Sequence, residues 1–328
     1  MAQALERRGH QVLHTDPYEQ IVKNRFVEYW SWHTGAFGTD RLAEATIRRD
    51  AGDRQFDVAF VDNGELISAR SVAFLKSRAK GVSLFLRDNP FVPRDGMRWR
   101  TLLGALPHYD LFVTRRTSTA EAAKARGVKS VMHTILFADE ILHQPKAPTA
   151  EELANYGAPV SFVGTWFPER GPFIETLVRR GVPLKVIGHR WSRAANYSTF
   201  EHVVTPGYLN PAQYSAAVRS ASIAIAMLSK GNEDLHTARS LEIPAMGILL
   251  CAERTSEHLA MYKEGEEAVF WESADECADV CLNLLANPDR IARFAQAGRA
   301  RVLASDHWTE PTMEKILHRT LEVASVQV

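Results

Sequence analysis

The alternation of short apolar runs with amphipathic stretches of helical length constrains this 328-residue chain more than any other feature. In the first half the runs are Gln11–Thr15 (QVLHT), Asp57–Asp62 (DVAFVD), Val82–Arg87 (VSLFLR), Asp110–Thr114 (DLFVT) and Val128–Met132 (VKSVM). Ser68–Lys80 and Ser118–Arg126 read as helices between them, with Gly81 and Gly127 where glycines end helices. Runs so rich in Val, Leu and Phe are too apolar to leave one face in water. They predict strands of a parallel sheet covered by helices on both faces.

The rhythm breaks at His143–Pro159 (HQPKAPTAEELANYGAP), which has three prolines and no apolar run and reads as a linker. It resumes with PVSFVG, VPLKVIG, SIAIAML, GILLC and EAVFW. Ser273 and Glu276 form a capping box for the helix that follows, and Asn287–Pro288 opens another. The expectation is α/β: two doubly wound Rossmann-like domains facing a cleft, at residues 1–145 and 146–308. A closing helix in 309–328 is expected to cross back to the first domain. A domain of this kind opens with a strand and a glycine-rich turn, whereas this chain starts directly in a helix. The first domain is therefore expected to lack its first strand.

Composition narrows the partners. Lys plus Arg and Asp plus Glu both number 39, so no charge excess argues for nucleic acid or an anionic surface. No apolar run approaches the length of a membrane span, and MAQALERRGHQV has no apolar core of a secretory signal. Cys251, Cys277 and Cys281 lack CxxC spacing and read as small buried hydrophobes, not as a disulfide framework or a zinc site. A reducing, cytoplasmic compartment is expected.

Ligands of doubly wound sheets bind beyond the carboxyl ends of the strands, so the residues after each strand of the second half matter most. Arg170 and Gly171 follow SFVG at a helix entry, where free N–H groups and an arginine favour an anion. His189, Arg190 and Trp191 follow VPLKVIG, a weak signal equally served by loop packing. After SIAIAML comes the densest cluster: Lys230, Gly231, Asn232, Asp234, His236, Thr237, Arg239 and Glu242. The glycine allows close backbone approach, Thr237 or Ser240 could cap a helix, and Glu242 in its second turn could accept both hydroxyls of a ribose. A capped helix with ordinary surface charges accounts for the same residues. Five charged or titratable side chains at one strand end weigh against it.

The motifs SFVGTWFPERG, VIGHRW, SKGNEDLHTARSLEIPAMGILLC, EHLAMYKEGEEAVFW and NPDRIARFAQAGRARVL, with DVAFVDNGE, FLRDNPF and LPHYDLFVTRR before them, resemble glycosyltransferases of the two-domain GT-B fold, family 4-like. They are most like the CgeB-like spore-maturation group. The resemblance runs from Gly9 to about Leu317 and is strongest from Phe162 to Arg301. It implies transfer of a sugar from a nucleoside-diphosphate donor, UDP-linked by expectation, to an unknown glycan, protein or small-molecule acceptor. It further implies retention of configuration, no metal and no cofactor beyond the donor. Retaining relatives carry E-x7-E, kept here as Asp234-x7-Glu242. By resemblance Glu242 binds the donor ribose, and Asp234 lies near the transferred sugar with Asp88 of the RDNP motif as a second catalytic candidate. Gly164, Thr165, Arg170, Gly188, Tyr208, Lys230, His236, Thr237 and Arg239 are the donor-binding candidates. The phosphate pair expected in the family falls on Thr165 and Arg170, so Lys230 or Arg239 would supply the second charge. The alternatives are a catalytically weak nucleotide-sugar-binding or scaffold protein of the same descent, and a different sugar-nucleotide enzyme such as an epimerase.

Overall fold

The computed structural model describes residues 1–326. The chain divides into two compact units, Met1–Ile135 together with the chain from Glu310, and Leu136–Thr309.

The first unit is built on four parallel strands in sequential order: β1 (Phe56–Asp62), β2 (Ala79–Leu86), β3 (Leu111–Thr114) and β4 (Val131–His133). Phe85 pairs with Val113, and Val113 with Met132. β3 is wholly buried, as the apolar runs require of a sheet covered on both faces. Val82, Leu84, Leu86, Leu102 and Phe112 form its core with Trp99. β1 is an edge, half-exposed along its length and bonded only to β2 among the described residues.

Two expectations fail here. Gln11–Thr15 is not a strand. Its two apolar residues, Val12 and Leu13, are adjacent and would point to opposite faces of a sheet, so neither face is worth burying. Gly81 does not end a helix but lies inside β2. The helix Ala69–Arg78, capped by Ser68, passes straight into the strand. A Cβ on Gly81 would stand 3.1 Å from the Thr320 carbonyl and 3.2 Å from Ala324, so glycine there lets the helix Thr309–Ser325 lie against the strand. Gly127, at φ +88°, does occupy the left-handed position after Thr117–Ala125.

The second unit has six parallel strands: β5 (Val160–Val163), β6 (Leu184–Gly188), β7 (Val204–Pro206), β8 (Ile223–Ala226), β9 (Leu249–Glu253) and β10 (Val269–Trp271), in the order β10-β9-β8-β5-β6-β7. This is the doubly wound order, and β5 and β8 are the neighbours at which the winding reverses. β7 escaped the sequence reading because it is three residues long and ends in proline, which an edge position tolerates.

The boundary between the units falls ahead of the proline-rich stretch. Leu136 donates its N–H to His236 Nε2 at 3.1 Å, Ala138 donates to His307 O, and Thr309 donates back to Ala138 O. These bonds stitch residues 136–143 into the second unit. The stretch read as a linker also contains a helix, Ala150–Tyr156, closed by a Thr149–Glu152 capping box. Among the described residues, no helix is long and apolar enough to cross a membrane.

Candidate functional site

In an open doubly wound sheet the crevice for a ligand lies beyond the strand ends where the winding reverses. Here those are the carboxyl ends of β5 and β8, and the sequence candidates gather around them in very different states.

Gly164 and Gly188 are needed by the backbone itself. A Cβ on Gly188 would sit 2.0 Å from Gly164 O, and one on Gly164 would sit 2.7 Å from Phe162. The Gly164 carbonyl in turn accepts from Trp191 Nε1 at 3.0 Å, which fixes the loop after β6.

Arg170 does not stand open to a phosphate as its position suggested. Its side chain is buried and its terminal nitrogens donate to three backbone carbonyls: Thr165 at 2.6 Å, and Met227 and Leu228 at 3.1 Å each. The guanidinium is flanked by Phe167 and Phe162. It thus braces the loop after β5 against the loop after β8 through its terminal nitrogens, while its Nε–H is buried without a partner. Burial, aided by nearby Arg239, pulls its pKa down to about 10, still far above neutrality. Thr165 contributes its carbonyl to the same brace.

His236 is fully buried, with Nε2 accepting from Leu136 and Nδ1 donating to the Glu257 carboxylate. Both ring nitrogens serve the protein, so His236 is an internal tie between Leu136 and Glu257. Thr237 does not cap the next helix either. Its hydroxyl is buried without a partner, and its N–H donates to Ser240 Oγ. The helix is Arg239–Ala245, with Ala238 before it, so Glu242 falls in the first turn and not the second.

Less buried near these strand ends are Lys230, Asp234, Arg239 and Glu242. Lys230 is largely exposed and ion-paired with Glu253, whose other oxygen accepts the Leu228 N–H at 2.9 Å. Asp234 is half-buried and accepts from Asn232 Nδ2 at 2.8 Å. Arg239 donates through Nε to Val163 O at 2.8 Å and its guanidinium lies 5.7 Å from the Tyr214 ring centre. Glu242 is partly open. Its Oε2 accepts the Tyr214 hydroxyl at 2.6 Å, and its Oε1 stands 3.9 Å from His143 Nε2. Burial first, and the Glu242 charge next, push the Tyr214 pKa well up, so the phenol stays a donor. Tyr208 is 77% exposed, with its ring 4.0 Å from that of His189. Asp88 belongs to the first unit, in the loop after β2, facing Arg94 and Arg98 at 3.9 Å each.

Sequence reasoning missed Glu253, Tyr214 and His143. Glu253 had a signal, an acid ending an otherwise apolar strand. Tyr214 and His143 had none, since each meets Glu242 only through the fold. The three cysteines are buried together, their sulfurs all within 4.8 Å of one another. They form the one cluster of potential metal ligands among the described residues, and they lie in the apolar core, away from the residues named above.

Residues 170–318 match the family model described as "Glycosyl transferase-like". No curated protein matches the sequence. Solved structures share the fold at low identity. Sucrose-phosphate synthase from Thermosynechococcus elongatus is 16% identical with a TM-score of 0.60, the match covering 88% of this chain and 79% of that one. HepE of Anabaena in complex with UDP-glucose is 12% identical with a TM-score of 0.59, covering 85% and 82%. α,α-Trehalose 6-phosphate synthase from Burkholderia multivorans is 10% identical with a TM-score of 0.57, covering 93% and 78%. The two parallel-sheet units have the fold of these GT-B glycosyltransferase structures, and residues 170–318 carry the glycosyltransferase-like match.

Proposed function

We propose that the protein transfers a sugar from a UDP-linked donor to a hydroxyl acceptor, with retention of configuration and without a metal. The observation that carries this reading is the Glu242 carboxylate. It is held in the first turn after β8 by the Tyr214 hydroxyl, with one oxygen left to accept a ribose hydroxyl. HepE, at similar fold and low identity, was solved with UDP-glucose, which favours uridine as the base to try first.

In the reaction the bond between the sugar C1 and the phosphate oxygen breaks, and a bond from C1 to the acceptor oxygen forms. The acceptor's proton leaves with the departing diphosphate or a nearby carboxylate, and the nucleoside diphosphate is released. Lys230 and Arg239 stabilise the charge that develops on the leaving group. A charge-assisted contact contributes about 1.5–3 kcal/mol, so two of them account for several powers of ten in rate. Arg170 supports them at second hand by fixing both loops. Asp234 lies toward the transferred sugar, Asp88 is the first unit's candidate, and the exposed Tyr208–His189 pair offers a platform for the base. The resemblance to the CgeB-like group of family 4 supports the same reading, and the three unpaired cysteines support a reducing, cytoplasmic setting.

A second reading, a nucleotide-sugar-binding protein with little turnover, is favoured by one observation: Lys230 is already paired with Glu253. Incubating the protein with UDP-glucose and measuring both binding and release of UDP separates the two. Binding with UDP release supports the transferase, and binding alone supports the second reading. Absence of binding across UDP-, GDP- and ADP-sugars removes both.

A further inference from the structure

His143 lies in the stretch that reads as linker, yet it is buried and aimed at Glu242. Its Nδ1 accepts the Asp139 N–H at 2.8 Å. A ring nitrogen that accepts carries no proton, so in the neutral ring the proton is on Nε2. Burial lowers the His143 pKa, outweighing the raising effect of Glu242, and so favours that neutral ring. The Nε2–H therefore points as a donor toward a region where Glu242 Oε1 is an acceptor, 3.9 Å away.

That separation is too long for a hydrogen bond between the two. It suits a third atom that donates to the carboxylate and accepts from the imidazole. An oxygen about 2.8 Å from each would close a triangle on the 3.9 Å base with an angle of about 90° at the oxygen. A hydroxyl is the group with both capacities. Oε2 is already engaged by Tyr214, and the Tyr214 ring lies edge-on to the His143 ring at 6.2 Å, so neither prong turns freely. The segment carrying His143 is held in place by the bonds of Leu136, Ala138 and Asp139.

We propose that His143 is a specificity-determining residue of this site: its Nε2–H and Glu242 Oε1 together hold one ribose hydroxyl, so the protein discriminates ribonucleotides from one of the two deoxyribonucleotides. The proposal rests on the nucleotide-sugar reading and sharpens it. With the hydroxyl missing, a buried donor and a charged acceptor are left facing each other without a bridge, which a water restores only in part.

The test is calorimetric titration of UDP, 2′-deoxy-UDP and 3′-deoxy-UDP into the wild type, His143→Phe and His143→Gln. Phe keeps the ring against Tyr214 and removes both nitrogens, whereas Gln keeps an N–H. The wild type is expected to bind one deoxy analogue about 10- to 100-fold more weakly than UDP. In His143→Phe, UDP should weaken about tenfold while that analogue is unchanged, so the discrimination shrinks, and His143→Gln should restore part of it. A His143 of purely structural value would weaken all three nucleotides equally, which overturns the proposal. Should His143→Phe fail to fold, equal wild-type affinity for all three nucleotides still overturns it, as does a His143→Gln variant that weakens all three nucleotides equally. UDP, GDP and ADP all failing to bind the wild type would instead sink the nucleotide-sugar reading itself, and this proposal with it.

Discussion

Arg170 and Arg239 both follow a strand of the second sheet, one after β5 and the other after β8, and the sequence gives no reason to separate them. In the structure they do opposite things. Arg170 is 6% exposed and its terminal nitrogens hold three carbonyls of two loops. Arg239 is half-buried, and only its Nε has a hydrogen-bond partner among the described residues. A charged side chain at a strand end is thus near the crevice by topology, but its role depends on whether it is buried with its terminal nitrogens already engaged. Arg170 holds the crevice's walls, while Arg239, Lys230 and Glu242 are the groups still able to meet a ligand.

The largest expected effect breaks the brace. Arg170→Ala leaves three loop carbonyls without their donor in a site that water reaches poorly. It should cost about 3 kcal/mol of stability, and the cost of unpaired buried groups sets that scale. For a unit of this size that is a fall in Tm of roughly 6–12 °C, read by calorimetry. A loss of UDP affinity at unchanged Tm would reverse the assignment. Gly188→Ala, whose Cβ would meet Gly164 O at 2.0 Å, should likewise act on folding, by about 1–3 kcal/mol.

Smaller effects should appear on the other side of the comparison. Arg239→Met keeps most of the stem, so its Tm should fall by far less than that of Arg170→Ala, while UDP affinity should fall by about 1.5–3 kcal/mol. Equal affinity for wild type and variant would remove Arg239 from the site.

The smallest effect is a pH dependence of stability. Burial is the first cause lowering the pKa of both His143 and His258 below the ordinary 6.5. Above 6.5 both states hold neutral imidazole and no dependence arises from these groups. As pH falls below 6.5 the unfolded chain binds protons that the folded chain resists. Stability should therefore decline from there down to the folded pKa, by at most about 1.4 kcal/mol per unit for each histidine. Replacing His143 by Gln should flatten part of that slope in thermal melts from pH 7 to 5.

The sequence made the sheets legible where burial on both faces demands an unbroken apolar run. SIAIAML and GILLC could be little else, and β8 and β9 lie there. It misled where the run was marginal. QVLHT has the residues of a strand without a face to bury, and VTP forms one on the strength of its neighbour alone. Glu242 was visible by its spacing from Asp234. Its surroundings were not, because Tyr214 is 28 residues away and His143 about a hundred. Direction was the other hidden quantity. The sequence places Arg170, His236 and Thr237 at the right ends of the right strands. Only the packing shows that each faces inward.

The central claim is that Glu242 accepts a ribose hydroxyl while Arg170 holds the loops around it. The most direct test is titration of UDP into Glu242→Gln alongside its thermal melt. Gln keeps the length and an oxygen for the Tyr214 hydroxyl, but gives up the charge and one acceptor. The account predicts an affinity loss of about 1–3 kcal/mol with Tm nearly unchanged. A lowered Tm with undiminished UDP affinity would contradict it and make Glu242 a structural partner of Tyr214.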